Sequence, residues 1–408
     1  MGARAHAAPG RRARRGAQEV TRLPGAEEVD VVDDFLRDHS ADDRLEFLRA
    51  RFDAGLAWVH FPEGLGGRGW SRDRQQEVDE AFKGTPQLDF GVQAIGLGMA
   101  APTILAFGTE EQKRRFLRPL WTGEEIWCQL FSEPGAGSDL ATLATRAVRD
   151  GDEWVVDGQK VWTSGAHHAR WAILVARTDP DVPKHRGLTY FVCDMHAPGV
   201  EVRPLRQITG EAEFNEVFLT GVRLGDDLRL GQVGDGWRVA QTTLMNERVA
   251  IGGNPVRRGG GMMGPVLDAW REHPEHRSHD LQQRLLKIWV EAEVTRLSGV
   301  RLREQLAVGQ PGPEGSGMKL SFAKLNQELS GIEVELNRDL GYDDWSFRRS
   351  ESVDFFGRGP GYRYLRAKGN SIEGGTSEIL RNIVSERVLG LPSEPRVDKD
   401  VPWKDLPR

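Results

Sequence analysis

Between Ile126 and Thr178 an apolar, strand-like run opens into Ser132-Glu133-Pro134-Gly135-Ala136-Gly137-Ser138-Asp139, and no other stretch so narrows what this chain can become. Such a run continues neither a strand nor a helix. It sets backbone N–H groups and small hydroxyls side by side, as the edge of a polar ring or a phosphate requires. Taken alone it reads equally well as a glycine turn. Downstream, Trp154 to Val156 and Gln159 to Trp162 read as the arms of a β-hairpin with Asp157-Gly158 at its turn. The second arm leads into Trp162-Thr163-Ser164, a flat apolar wall with hydroxyl donors beside it, which suits a flat heteroaromatic cofactor.

The periodicity changes on either side of this region. From Glu27 to Glu125 apolar residues such as Val31, Phe35, Leu45, Leu48 and Phe52 recur at helical spacing. Residues 126–236 carry short β-branched or aromatic runs, among them Trp171 to Ala176, Leu188 to Val192 and Phe214 to Leu219. The run Gly231-Gln232-Val233-Gly234-Asp235-Gly236 breaks the pattern, and helix resumes at Trp237. Two long seams follow: Leu285, Ile288, Ala292, Thr295, Gly299, Leu302 and Leu306, then Phe322, Leu325, Leu329, Ile332 and Leu336. The loop Gly309 to Gly317 separates them, and Tyr342 to Gly361 reads as a long irregular connection. The expected architecture is therefore α+β. It has an N-terminal helical domain over 27–125, a small central β-domain over 126–236 and a C-terminal four-helix-bundle domain over 237–392. A disordered basic tail covers 1–26 and a C-terminal tail 393–408.

At 408 residues the chain is too long for one ordinary core. Its net charge of −6 leaves no basic face for nucleic acid and no polybasic membrane patch, so a small-molecule partner fits better. The two cysteines, Cys128 and Cys193, have no metal-ligand spacing and are too few to staple a secreted fold, which points to a reducing, cytoplasmic setting and no metal. After Arg11-Arg12-Ala13-Arg14-Arg15 comes Gly16-Ala17-Gln18-Glu19, where a twin-arginine export signal would need an apolar stretch. No apolar run comes near the roughly 20 residues of a spanning helix. Gly64-Leu65-Gly66-Gly67-Arg68-Gly69 matches the dinucleotide pattern G-x-G-x-x-G, but the helices around it give no parallel sheet to place NAD on.

The Ser132 to Asp139 and Lys160 to Ser164 stretches, spaced as they are, resemble the acyl-CoA dehydrogenases. The run Asn370-Ser371-Ile372-Glu373-Gly374-Gly375-Thr376-Ser377-Glu378-Ile379-Leu380-Arg381-Asn382-Ile383 is similar to that family's C-terminal flavin-edge motif. The resemblance implies FAD as cofactor. It implies an acyl-CoA substrate that loses an α-proton and a β-hydride to become a trans-2-enoyl thioester. It also implies an electron-transfer flavoprotein as acceptor and assembly as a homotetramer or heterotetramer. Carried over by motif, Phe131 and Ser132 lie against the flavin, Trp162 and Thr163 line its ring and Ser164 reaches its N5 edge. Thr376 and Glu378 meet it from the C-terminal motif, while Ser138 faces the thioester or pantetheine.

The resemblance also locates the base by subtraction. Where many members hold a glutamate this chain has Gly374, with Glu373 displaced by one residue. The family's other position is a Glu-Arg pair on the first long C-terminal helix, and Leu244-Met245-Asn246-Glu247-Arg248-Val249-Ala250 matches it. Glu247 is thus the expected base and Arg248 the expected contact on the CoA side. The family's adenosine-binding residues are not reproduced: His273-Pro274-Glu275-His276 stands in that region, with Gln283 as the one candidate contact. An oxidase or monooxygenase of the same fold, and a non-catalytic partner subunit, are the alternatives.

Overall fold

In the computed structural model the described residues are 26–252, 257–308, 313–338 and 358–407. Side chains are described from residue 30 onward, except those of 247–252 and 306–308. The basic tail up to residue 25 and most of the Tyr342 to Gly361 connection lie outside these ranges.

The first helical pattern becomes α1 (Ala26–Asp38) and α2 (Arg44–Asp53), the latter begun by Asp43, whose carboxylate accepts from the N–H groups of Leu45 and Glu46. Then come α3 (Gln75–Ala81), α4 (Phe90–Ile95), α5 (Ala101–Phe107) and α6 (Glu110–Thr122). A π-helical turn, Gly96–Ala100, joins α4 to α5. This corrects the reading that no apolar run is long enough to span a membrane, because Phe90–Phe107 is long and apolar enough by length and composition. Its inner side is nonetheless core: Ala100, Ala101 and Ile104 are buried with Leu117, Leu120 and Trp127. The Gly64 to Gly69 loop follows turns rather than a strand. A Cβ on Gly67 would sit 2.1 Å from the Phe61 carbonyl oxygen, so close backbone packing accounts for that glycine.

The middle of the chain forms one sheet from β1 (Trp127–Leu130), β2 (Arg146–Asp150), β3 (Glu153–Ser164), β4 (Trp171–Arg177), β5 (Leu188–Asp194), β6 (Val200–Pro204), β7 (Phe214–Gly225) and β8 (Arg229–Leu230). The order is β6-β7-β3-β2-β4-β5-β8, with β1 parallel to β4. On β4, Trp171, Ile173 and Val175 enter the core shared with the N-terminal helices, and the alternate residues Ala172, Leu174 and Ala176 enter a second core on the other face. The expected hairpin at Asp157-Gly158 is not there. β3 runs straight through it, and the reversal falls one strand earlier, at Gly151-Asp152 between the paired Asp150 and Glu153. Gly158 is needed for proximity instead of turning, since a Cβ there would lie 2.3 Å from Thr145 Oγ1.

The last part comprises α7 (Gly236–Gly252), α8 (Met263–Glu272), α9 (His279–Val308), α10 (Gly315–Leu336), α11 (Pro360–Ala367) and α12 (Ser377–Ile383). The two seams meet as expected: Leu285 and Ile288 of α9 share a core with Leu325, Leu329, Ile332 and Leu336 of α10, and Met263 and Val266 of α8 complete it. Three hydroxyls pin the parts together, because Thr243 Oγ1 on α7 lies 2.9 Å from both Thr103 Oγ1 on α5 and the Tyr190 hydroxyl on β5. Beyond α12 the chain returns to the β-domain, where Trp403 N donates to the Val182 carbonyl at 2.9 Å.

Candidate functional site

The end of β1 is fixed by a lysine that the sequence does not advertise. Lys160 Nζ, wholly buried, donates to the Phe131 carbonyl at 3.0 Å, the Val175 carbonyl at 2.9 Å and Glu133 Oε1 at 2.8 Å. Glu133 in turn accepts from the N–H groups of Ala144 at 2.6 Å and Thr145 at 2.9 Å. Burial alone would raise the Glu133 carboxyl, but Lys160 and these N–H donors outweigh it and hold the group below the ordinary carboxylate value. Burial pulls the Lys160 ammonium down, and Glu133 works against that fall. Ser132, half-buried, is held beside β3 by its carbonyl, which accepts from Val161 N at 2.9 Å.

Trp162 carries the one positive φ, +60°, found outside glycine among the described residues. It sits where the pairing of β3 with β7 slips between Lys160 and Thr163. The bulge reverses which side chains face inward, so Trp162 is 56 % exposed while Thr163 is buried. A bulky residue held at positive φ costs on the order of 1–3 kcal/mol, and such strain gathers at ligand sites. The indole edge meets Phe214 at 5.9 Å. Behind it, Asn215 Nδ2 donates to the Thr163 carbonyl at 2.9 Å and the Glu213 carbonyl at 3.0 Å. Thr163 Oγ1 is buried and has no partner among the described residues. An exposed flat ring beside an unsatisfied buried hydroxyl fits a planar heteroaromatic group such as a flavin.

In the C-terminal motif, Thr376 caps α12 as expected, its Oγ1 accepting from Ile379 N at 3.2 Å. Glu378 is exposed in the first turn and pairs with Arg381. The preceding loop is tightly tied. Lys319 Nζ, buried on α10, donates to the Asn370 and Gly375 carbonyls, each at 2.7 Å. Glu373 is engaged by Arg366 through Nη2 at 2.7 Å and Nη1 at 3.1 Å, and by Asn370 Nδ2 at 2.6 Å. The Arg366 guanidinium also lies 5.8 Å from the Phe214 ring. A chain of contacts, Trp162 to Phe214 to Arg366 to Glu373, therefore joins the β-domain wall to the C-terminal motif.

Phe131 is brought to the same neighbourhood, edge-on to Tyr190 at 5.8 Å, and Tyr190 is bonded to Thr243 on α7. Glu247 and Arg248 lie on α7 one turn beyond Thr243, with their side chains outside the described set. Ser164 is half-buried at the β3 end, paired in register with Phe214. Ser138 is exposed in the loop before Asp139. Gln283 is exposed near the start of α9, and no described contact joins it to the rest. Both cysteines are buried and free, and burial pushes the Cys193 thiol up to about 12 and Cys128 upward as well, so neither is a nucleophile at neutral pH.

Among the described residues, His273, Glu275 and His276 bring three donor atoms within 4.8 Å of one another. These groups already have roles in their turn: His273 Nδ1 faces Glu275 at 3.1 Å and His276 Nδ1 faces the Leu336 carbonyl at 2.6 Å. The residues that sequence reasoning missed are Glu133, Lys160, Phe214, Lys319 and Arg366. Lys160 carried a signal, because it shares the parity of the inward-facing Trp154 and Val156 on β3.

Models of the acyl-CoA dehydrogenase N-terminal, middle and C-terminal domains match residues 11–124, 128–222 and 234–389. The chain is 42% identical to acyl-CoA dehydrogenase FadE34 of Mycobacterium tuberculosis over 83% of its own length and 45% of that protein, so it spans about half of that relative. It is 37% identical to acyl-CoA dehydrogenase IpdE1 of the same organism, over 88% of this chain and 91% of that one. Among solved structures, the ChsE4-ChsE5 complex from Mycobacterium tuberculosis superposes with a TM-score of 0.66 at 26% identity, covering 92% of this chain and 100% of that one.

Proposed function

We propose that this chain, which belongs to the acyl-CoA dehydrogenase family of FAD oxidoreductases, converts an acyl-CoA thioester to its trans-2-enoyl form with Glu247 as the base. The observation that carries the choice of base is the state of Glu373. Its carboxylate is held by Arg366 and Asn370 in a half-buried bridge, and its neighbour at the family's usual position is Gly374. Both of its oxygens are taken by donors, so it cannot turn to a substrate carbon without breaking those bonds. That leaves the glutamate on α7, a helix packed against β5 beside Phe131.

Residues that would hold FAD are Phe131, Ser132, Trp162, Thr163 and Ser164 from the β-domain, with Thr376 and Glu378 from the C-terminal motif. When bound, FAD supplies the acceptor for the β-hydride. Glu247 would take the α-proton onto a carboxylate oxygen, leaving its electron pair to form the new double bond as the hydride departs. Trp162 would exclude water from one side of the reacting carbons, and Thr163 would find the partner its buried hydroxyl needs. Ser138 and Arg248 would orient the thioester and the CoA. The electrons would leave to an electron-transfer flavoprotein.

Glu247→Gln keeps the shape and removes the basicity. Bound flavin should remain, and anaerobic bleaching by a panel of linear, branched and alicyclic CoA thioesters should slow by roughly 10²–10⁴, while Glu373→Gln slows it far less. Loss of bleaching in Glu373→Gln with normal bleaching in Glu247→Gln would reverse the assignment.

Assembly with a like or unlike copy is the second part of this reading. Leu286, Val290, Val294 and Leu297, spaced three and four apart, form an exposed apolar stripe along α9, 53–61 % accessible, where a surface helix ordinarily carries polar residues. Light scattering should give a mass of at least two chains, and Val290→Glu should lower it; a monomeric wild-type protein, alone and with a candidate partner, removes this part.

A further inference from the structure

The family models end at residue 389, yet the chain after it folds back to the loop that bears Ser138. Ser138 and Asp139 lead into a short turn, Leu140–Thr142. Arg177, almost fully buried, holds this turn from beneath, donating to the Ala141 carbonyl at 2.6 Å and the Leu143 carbonyl at 3.1 Å. Burial lowers this guanidinium to about 10.

Trp403 closes the arrangement from the C-terminal side. Its ring lies 4.4 Å from the Arg177 guanidinium, and its Nε1 donates to the Thr142 carbonyl at 3.0 Å. The backbone beside it is fastened too: Trp403 N and Lys404 N donate to the Val182 and Pro180 carbonyls at 2.9 and 3.1 Å, and Lys404 pairs with Asp181 at 2.7 Å. A second tie is electrostatic. Lys184, with a side chain only 4 % exposed, bridges Asp139 at 2.5 Å and Asp398 at 2.6 Å. Asp398 is kept far below the usual carboxylate range by its hydrogen bonds to Lys184 and Arg396.

We infer that residues 398–406 act as a brace for the acyl-CoA-binding loop, with Trp403 and Asp398 as positioning residues that set where Ser138 stands. The inference rests on reading Ser138 as a contact of the thioester or pantetheine. Among the described residues, each of these ties ends on the stretch 139–143 or on residues 177–184 beneath it, and none of them ends on Trp162, Thr163 or Thr376. The brace should therefore govern binding of the CoA portion and leave flavin binding alone. Its physical basis is local: Glu133 and Ala136 close the glycine-bearing part with two mutual backbone bonds, but from Asp139 to Leu143 the internal bonds are only those of one short turn, Thr142 N and Oγ1 to the Asp139 carbonyl at 3.0 and 2.6 Å and Leu143 N to the Leu140 carbonyl at 3.1 Å, so Ser138, between the two, takes its place from what holds that turn.

The test uses the flavin-loaded full chain, coenzyme A as probe, and Trp403→Ala beside Trp403→Phe. The phenylalanine keeps a ring over Arg177 and loses only the Nε1 donor. In Trp403→Ala, calorimetry should show coenzyme A binding weakened about 5- to 20-fold and hydrogen exchange at residues 139–143 faster by about tenfold, with the FAD-to-protein ratio unchanged. Trp403→Phe should fall between it and the wild type. Unchanged coenzyme A affinity in Trp403→Ala overturns the brace, as does loss of FAD in step with loss of coenzyme A binding. If Trp403→Ala does not fold, Trp403→Phe decides by the same two readouts. Wild-type protein that binds no coenzyme A would instead sink the reading of Ser138, a different failure from a variant that binds as well as wild type.

Discussion

Two glycine-bearing loops border the site, Phe131 to Ser138 and Asn370 to Thr376, and a buried lysine ties each one down. Lys160 meets a carboxylate that belongs to its own loop, Glu133, and the pair is sealed within the sheet. Lys319 reaches two main-chain carbonyls, while that loop's carboxylate, Glu373, turns away to Arg366 on α11. The consequence lies in what happens when one member is lost. A sealed ion pair leaves an uncompensated charge in an apolar core, so its loop stands or falls with the sheet. The second loop is held by several separable bonds, from Lys319 on α10 and from Arg366 on α11, so it can loosen while the bundle stays folded.

Lys160→Met should therefore have the largest effect, about 3–5 kcal/mol of stability by urea unfolding, because it strands Glu133. The double variant with Glu133→Gln should recover most of that; a double variant as unstable as the single one would mean that shape, not charge, dominates. The acid side sharpens the same point. Because the Glu133 carboxyl lies below its ordinary value in the fold, it contributes stability that is complete above that ordinary value and lost as pH falls through the lowered one. Acid unfolding of Lys160→Met should accordingly begin at higher pH than in the wild type.

Lys319→Met comes next. It removes charged donors from two carbonyls and should cost about 2–3 kcal/mol, with flavin affinity falling while the β-sheet signal in circular dichroism is kept. Equal damage to the sheet and the flavin site would erase the contrast between the loops. Arg366→Lys should be the mildest, about 1 kcal/mol, since one charged bond to Glu373 survives and only the bidentate geometry and the contact with Phe214 are lost. Thermal unfolding and flavin titration on one preparation read both quantities; a loss as large as that of Lys319→Met would mean that Glu373 and not Lys319 anchors the glycine pair.

What the sequence revealed follows from which forces act locally. Helical seams on α9 and α10, the Thr376 cap and the helical, β, helical order all rest on periodicity or on neighbours within a few residues, and the structure has each of them. The hairpin misreading had the opposite cause. Asp157-Gly158 is a good turn signal, but Gly158 answers to Thr145, thirteen residues back, whose approach forbids a Cβ. The ties that shape the site are also long-range: Lys160 to Glu133, Lys319 to Gly375 and Arg366 to Phe214. A lysine in a strand reads as solvent-facing by default, and only its parity with Trp154 and Val156 hints otherwise. The reversal at Trp162 was hidden for a related reason, since a bulge exchanges inward and outward positions without changing composition.

The Thr103, Thr243 and Tyr190 hydroxyls meet at one point although each comes from a different domain. Being uncharged, this junction keeps its strength at any ionic strength, and so does the placement of the helix that carries Glu247. Its specification, however, is distributed. A chimaera that imports the β-domain from a relative lacking the tyrosine hydroxyl would inherit a sound sheet and a sound bundle with a vacancy where they meet. The three domains of this protein are separate as folds and inseparable as cassettes.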